Sequence, residues 1–175
     1  MLILLPIVQQ EFPQFRLHLE AYWQELMPHA DVIKDATSRD RYFQERFVEG
    51  RFELYVAVDG TEQVGLLAVA VEDTKQSAVI EDFYVFPQSR RKGYGRAMVA
   101  SLYALLDRRN ITLVELNVRR DNLQALAFWE AIGFRIGSYR MRQYRDPKIG
   151  KSFVGALSSD FQDLASFDVG NSDDI

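Results

Sequence analysis

The 175-residue chain contains no cysteine. Disulfides are therefore excluded, thiolate metal sites with them, and such a chain suits a reducing compartment such as the cytoplasm. Histidine is nearly as scarce. Only His18 and His29 offer imidazole, too few for a zinc centre, so no metal is expected. A long hydrophobic run is missing too. The opening stretch MLILLPIVQQEF is apolar, but it has no basic leader and breaks at Pro6 and Gln9. It is too short to span a bilayer and reads as a first strand rather than a signal. An excess of one charge is absent from most of the chain. The net charge of −4 comes from residues 158–175, which hold five Asp and no Lys or Arg, leaving 21 basic against 20 acidic residues elsewhere. That near-neutral body argues against nucleic-acid or membrane binding as its main task. The acidic end reads as a flexible tail following one domain over 1–157.

What is present is an ordinary globular composition, 47% hydrophobic and 26% charged, long enough to bury a core without staples. The period of the apolar residues predicts a strand at 2–8 and a helix at 11–27 carrying Phe15, Leu19, Tyr22, Trp23 and Leu26 on one side. A second helix, capped by Thr37 or Ser38, would present Tyr42, Phe43, Phe47 and Val48. The run FELYVAVDGTEQVGLLAVAVED reads as a hairpin turning at Asp59-Gly60, and AVIEDFYVF as the next strand, stopped by Pro87. A helix from Gly93 to about Arg109 would turn Met98, Leu102, Leu105 and Leu106 inward. ITLVELNV is a strand. DNLQALAFWEAIGF is a helix opened by Asp121 or Asn122 and closed by Gly133. Strands at FRIGSYRMRQYR and SFVGAL complete the pattern. The expected fold is α/β, a mixed and mostly antiparallel sheet of six or seven strands with about four helices on both faces.

One stretch, SRRKGYGRAM, joins the AVIEDFYVF strand to the next helix. A helix N-terminus carries unpaired N–H groups and a partial positive charge. Gly93 and Gly95 admit close approach and unusual backbone angles, while Arg90, Arg91, Lys92 and Arg96 add positive charge. Together they describe an anion cradle. It is neither a Walker loop, lacking Gly-Lys-Ser/Thr, nor a dinucleotide GxGxxG, since Met98 stands at the third glycine.

Two blocks then coincide. Arg90-x-x-Gly93-x-Gly95 follows a strand and a proline, and LNVRRDNLQALAFWEAIGF comes about thirty residues later. The pair resembles the GNAT superfamily of acyl-CoA-dependent N-acetyltransferases, in detail over about 51–145. The resemblance implies transfer of an acetyl group from acetyl-CoA to a primary amine by direct attack. Main-chain groups of Phe83, Tyr84 and Val85 would hold the pantetheine arm, where the pair of strands at 79–86 and 112–118 splays. The amides of Arg91, Lys92, Gly93, Tyr94, Gly95 and Arg96 would hold the pyrophosphate, with Arg90 a further cofactor-binding residue at the head of the loop, and Asn122 would touch the arm. Amines are protonated at neutral pH, so a base is needed. Glu81 is the candidate, with Asp82 pointing to the other face. The alternative for Glu81 is a plain ion pair across the sheet. The resemblance also places Tyr22, Trp23, Glu25 and His29 in the region of the acceptor pocket, and homodimers are common among relatives.

One residue departs from the pattern. Where relatives carry the Tyr that protonates the leaving thiolate, this chain has Trp129, whose indole N–H is far too weak an acid. Tyr94, Tyr139 or Tyr144 could substitute, or no acid is used. The departure also motivates a second expectation, an acyl-CoA-binding sensor with little catalysis. The basic alternation from Arg135 through Arg140, Arg142, Arg145 and Lys148 to Lys151 reads as a solvated strand face rather than a nucleic-acid site.

Overall fold

The computed structural model describes residues 2–26, 44–45 and 47–138. The elements run β1 (Leu2–Pro6), α1 (Phe12–Leu26), β2 (Glu53–Asp59), β3 (Glu62–Glu72), β4 (Ser77–Val85), α2 (Tyr94–Asp107), β5 (Leu113–Leu116) and α3 (Leu123–Ile132). The strands form one sheet in chain order. Neighbours from β1 to β4 are antiparallel, and β4 and β5 are parallel, because α2 carries the chain back to the starting end.

The alternation of side chains sorts the core onto two faces. On one, Phe12, Phe15 and Leu19 of α1 meet Leu54, Val56, Leu66, Ala68, Tyr84 and Phe86. On the other, Val99, Leu102 and Leu106 of α2 and Trp129 of α3 meet Leu67, Val69, Ala78 and Ile80. Met98 packs with Ala57 and Val64, and it comes so close that a Cβ on Gly65 would strike its sulfur and the Tyr84 carbonyl. Val99 takes the inward place expected of Leu105, which is half-buried. His18 is half-buried, its ring 4.7 Å from that of Phe86.

The β2–β3 turn corrects one detail. Asp59 still pairs with Glu62 as part of the ladder, so the two-residue loop is Gly60-Thr61, with left-handed backbone at Gly60 alone (φ +62°). Glycine first in a two-residue hairpin loop suits the strand twist.

The described residues hold five strands and three α-helices, not the six or seven strands and four helices expected. Residues 134–138 join no strand, for a local reason. Phe134 folds its ring back to within 5.1 Å of Trp129, and Arg135 donates to the carbonyls of Glu130 and Phe134. The segment closes the C-terminus of α3, where carbonyls are exposed and a cation is favoured. The remaining basic strand, SFVGAL, the acidic tail and the expected cap of the second helix lie outside the described residues. Residues 44, 45, 47 and 48 are helical, and Phe47 stacks on Phe12 at 5.8 Å. No helix among the described residues is long and apolar enough to cross a membrane.

Candidate active site

The site begins where two strands part. β4 and β5 pair from Ser77 opposite Leu113 to Ile80 opposite Leu116, and there the pairing ends. β4 continues to Val85, still paired with β3 on its other edge. A bulge marks the parting. Ala68 faces Asp82 and Val69 faces Ile80, so Glu81 is the extra residue. A bulge bends the strand and shifts its side-chain alternation. Accordingly Ala78 and Ile80 point to the α2 face, while Tyr84 and Phe86 point to the α1 face.

Past the bulge lies a cavity of about 400 Å³. Phe83, Tyr84 and Val85 line one side of it, and Asn122, Ala125, Phe128 and Trp129 of α3 the other; Tyr22 and Glu25 of α1, Arg90 and Gly95 also contribute. The sequence-predicted strand residues, the Arg90 and Gly95 ends of the cradle, and Asn122 are thus brought together. Asn122 caps α3, its Oδ1 accepting from the Ala125 amide at 3.1 Å, so its Nδ2 is what it can offer a ligand.

The cradle has the geometry an anion requires. Ser89 N–H donates to Phe86 O and Arg90 N–H to Pro87 O; the next main-chain bond runs from Ala97 to Gly93. Between them the amides of residues 91–96 meet no main-chain acceptor among the described residues. Gly93 caps α2 in left-handed backbone (φ +86°), and Arg91 is left-handed as well (φ +61°). Such residues turn successive N–H groups into a concavity at the positive end of a helix. A Cβ on Gly93 would meet nothing within 4 Å, so its backbone angle is what demands glycine. Gly95 answers a different need. A Cβ there would lie 3.0 Å from the Phe128 ring, so the glycine lets α3 close over α2 and form one wall of the cavity.

Arg90 departs from the expected role. Its Nε donates to Val85 O at 2.9 Å and its two terminal nitrogens donate to the Glu25 carboxylate at 2.6 and 2.8 Å. The guanidinium also lies 5.2 Å from the centre of the Tyr84 ring, and Tyr84 O–H donates to Glu25 at 2.8 Å. The positive charge at the cradle therefore belongs to the exposed Arg91, Lys92 and Arg96. Glu25 is held below the usual carboxylate range by Arg90, against the effect of burial. Burial, then Glu25, raises the Tyr84 hydroxyl. Tyr22 packs at 4.9 Å from Tyr84. The side chain of Trp23 and all of His29 lie outside the described residues.

Glu81 is exposed and does not line the cavity, while Asp82 is buried. The carboxylates that do line it are Glu25 and Asp121. Asp121 is bound by Arg119, which keeps its pKa low, so both are poor bases near neutrality. Trp129 is packing. Its ring meets Phe83, Phe128 and Phe134 edge-on at 5.0, 4.9 and 5.1 Å. Tyr94 turns its hydroxyl to Asp59 at 3.1 Å, away from the cavity, and Tyr139 and Tyr144 lie outside the described residues.

A family model for the acetyltransferase (GNAT) family matches residues 15–134. The chain belongs to the GNAT acetyltransferases. It is 26% identical over 119 residues to the Escherichia coli K12 enzyme named ribosomal protein bS18-alanine N-acetyltransferase, a match covering 67% of this chain and 80% of that one. PaiA N-acetyltransferase of Thermoplasma acidophilum, in complex with coenzyme A, superposes with a TM-score of 0.66 at 13% identity, covering 80% of this chain and 93% of that one. Ribosomal-protein-alanine N-acetyltransferase of Brucella melitensis biovar Abortus gives a TM-score of 0.60 at 19% identity, covering 82% and 100%. The two structures share the fold of this GNAT acyltransferase.

Proposed function

We propose that this GNAT enzyme moves an acetyl group from acetyl-CoA to a primary amine, and that the amine is a peptide N-terminus. The observation that carries the reading is the continuity of β4's open edge with the cradle of unengaged amides. An extended arm laid along the edge ends with its diphosphate at a helix N-terminus. The amides of 91–96 hold the diphosphate. Main-chain groups of Phe83, the Val85 N–H and Asn122 Nδ2 hold the arm, while the main chain of Tyr84 faces β3 on the other edge, as does that of Phe86, whose N–H donates to Val64 O. Val85 contributes no carbonyl, since Arg90 occupies it.

Acetyl-CoA, when bound, supplies an activated thioester carbonyl. The chain has no cysteine to carry the acetyl group, in keeping with direct attack by the amine. The ammonium must first lose a proton. Glu81 is the residue for this, acting through water from outside the cavity lining, because the bulge sets it one position past the last β4–β5 pair. Tyr22 and Glu25 border the cavity on the α1 side, where the acceptor enters. The likeness to the alanine N-acetyltransferase of E. coli favours a peptide beginning with alanine.

Thiol release from acetyl-CoA tests the reading, with an alanine-initiated peptide, its N-terminally blocked counterpart containing lysine, and spermidine as acceptors. Release with the free-amine peptide is expected. Release with spermidine alone would overturn the peptide assignment. No release with any amine, by protein that binds coenzyme A, would favour the sensor reading raised by Trp129.

A further inference from the structure

We infer that Glu25 is a positioning residue for the cofactor loop, acting through Arg90 from the end of α1. The inference rests on the proposal that coenzyme A lies along β4 and the cradle. Arg90 makes four contacts at once. Its Nε fixes Val85 O, two nitrogens fork onto Glu25, and its plane lies over Tyr84. Glu25 in turn accepts from Tyr84 O–H. A planar fork binding a carboxylate at two points sets orientation as well as distance. The partners are 65 residues apart in the chain, yet the pair bridges the last turn of α1 to the point where β4 becomes the loop.

That position explains why the arginine of the signature loop faces inward. Between Val85 and the cap of α2 the loop is held by three main-chain bonds, Phe86 to Val64, Ser89 to Phe86 and Arg90 to Pro87, and by this side chain. A loop that must present six amides to one ligand binds better when its conformation is set beforehand, because the ligand then orders less chain. Glu25 touches none of those amides. It sets Arg90, and Arg90 sets the loop. The pair is half-exposed, with side-chain exposures of 38% and 47%, so its contribution to overall stability is small.

Calorimetric titration of coenzyme A into wild-type protein, Glu25→Gln, Arg90→Gln and the double variant tests this. Glu25→Gln keeps the size of the side chain and removes the charge. Its affinity for coenzyme A is expected to fall roughly three- to tenfold, the range of a forked but half-exposed ion pair. Its melting temperature should stay close to wild type. Amide hydrogen exchange at Ser89 and Arg90 should speed up in the same variant. The double variant should lose no more affinity than Arg90→Gln alone, as expected when one residue acts through the other. Unchanged affinity in Glu25→Gln, or losses that multiply in the double variant, would overturn the inference. Failure of the wild-type protein to bind coenzyme A would instead refute the cofactor site itself.

Discussion

The two halves of β4 are continuous in the chain and do opposite things. From Ser77 to Ile80 the strand is paired on both edges and its inward side chains are sealed beneath α2. From Glu81 to Val85 one edge meets no strand among the described residues, and Phe83 to Val85 line a cavity. The difference arises from one inserted residue, the bulge at Glu81, and from a parallel partner only four residues long. Sheet edges are ordinarily a hazard, because unpaired N–H and C=O groups recruit other strands. Here the edge is short, walled by α3, and leads to a helix N-terminus. An enzyme of this kind can thus obtain a ligand-binding edge by ending a ladder early, with no added element.

The comparison can be broken at three points. The largest effect is expected at its hinge. Glu81→Gln should lower kcat by about 10² or more, the usual loss when a general base is removed. Coenzyme A affinity should be unchanged, and thiol release at saturating substrates measures the first quantity. A variant with full kcat would show that the bulge supports shape alone. In the closed half, Ile80 is 4% exposed. Ile80→Ala should cost about 2–5 kcal/mol in urea unfolding while leaving coenzyme A affinity near wild type. A large loss of affinity without loss of stability would erase the distinction between the halves. The smallest effect belongs to Trp129→Phe, which should leave kcat within about twofold because the indole packs against rings and is no proton donor at the leaving group. A large drop in kcat with intact stability would give the indole a chemical role.

The same contrast shows what a one-dimensional pattern carries. Local chemistry was legible. Asn122 was one of two caps offered for α3, Gly133 its stop, and Gly93 the start of α2; each is set by neighbours within a turn. The open half of β4 was legible through the family resemblance. Three features were not. The bulge leaves no mark in AVIEDFYVF, because the apolar runs on either side of Glu81-Asp82 carry no period of two to interrupt, and only the partner strand reveals the extra residue. Arg90 reads as one of four cations, and its true partner is on another element. Gly95 reads as a ligand contact, whereas the space it spares is also needed by Phe128, which a separate helix supplies. In each case the deciding neighbour is distant along the chain.

The account stands on a diphosphate held by the amides of 91–96, whose arrangement depends on the left-handed angle of Gly93. The most direct test is calorimetric titration of coenzyme A into wild-type protein and Gly93→Val, with folding verified by circular dichroism. A Cβ-branched residue is strongly disfavoured at such an angle, although nothing nearby would obstruct its Cβ. The account predicts micromolar binding by wild type and none measurable by the folded variant. Equal affinity in the two proteins, or no heat from wild type at saturating coenzyme A, would contradict it.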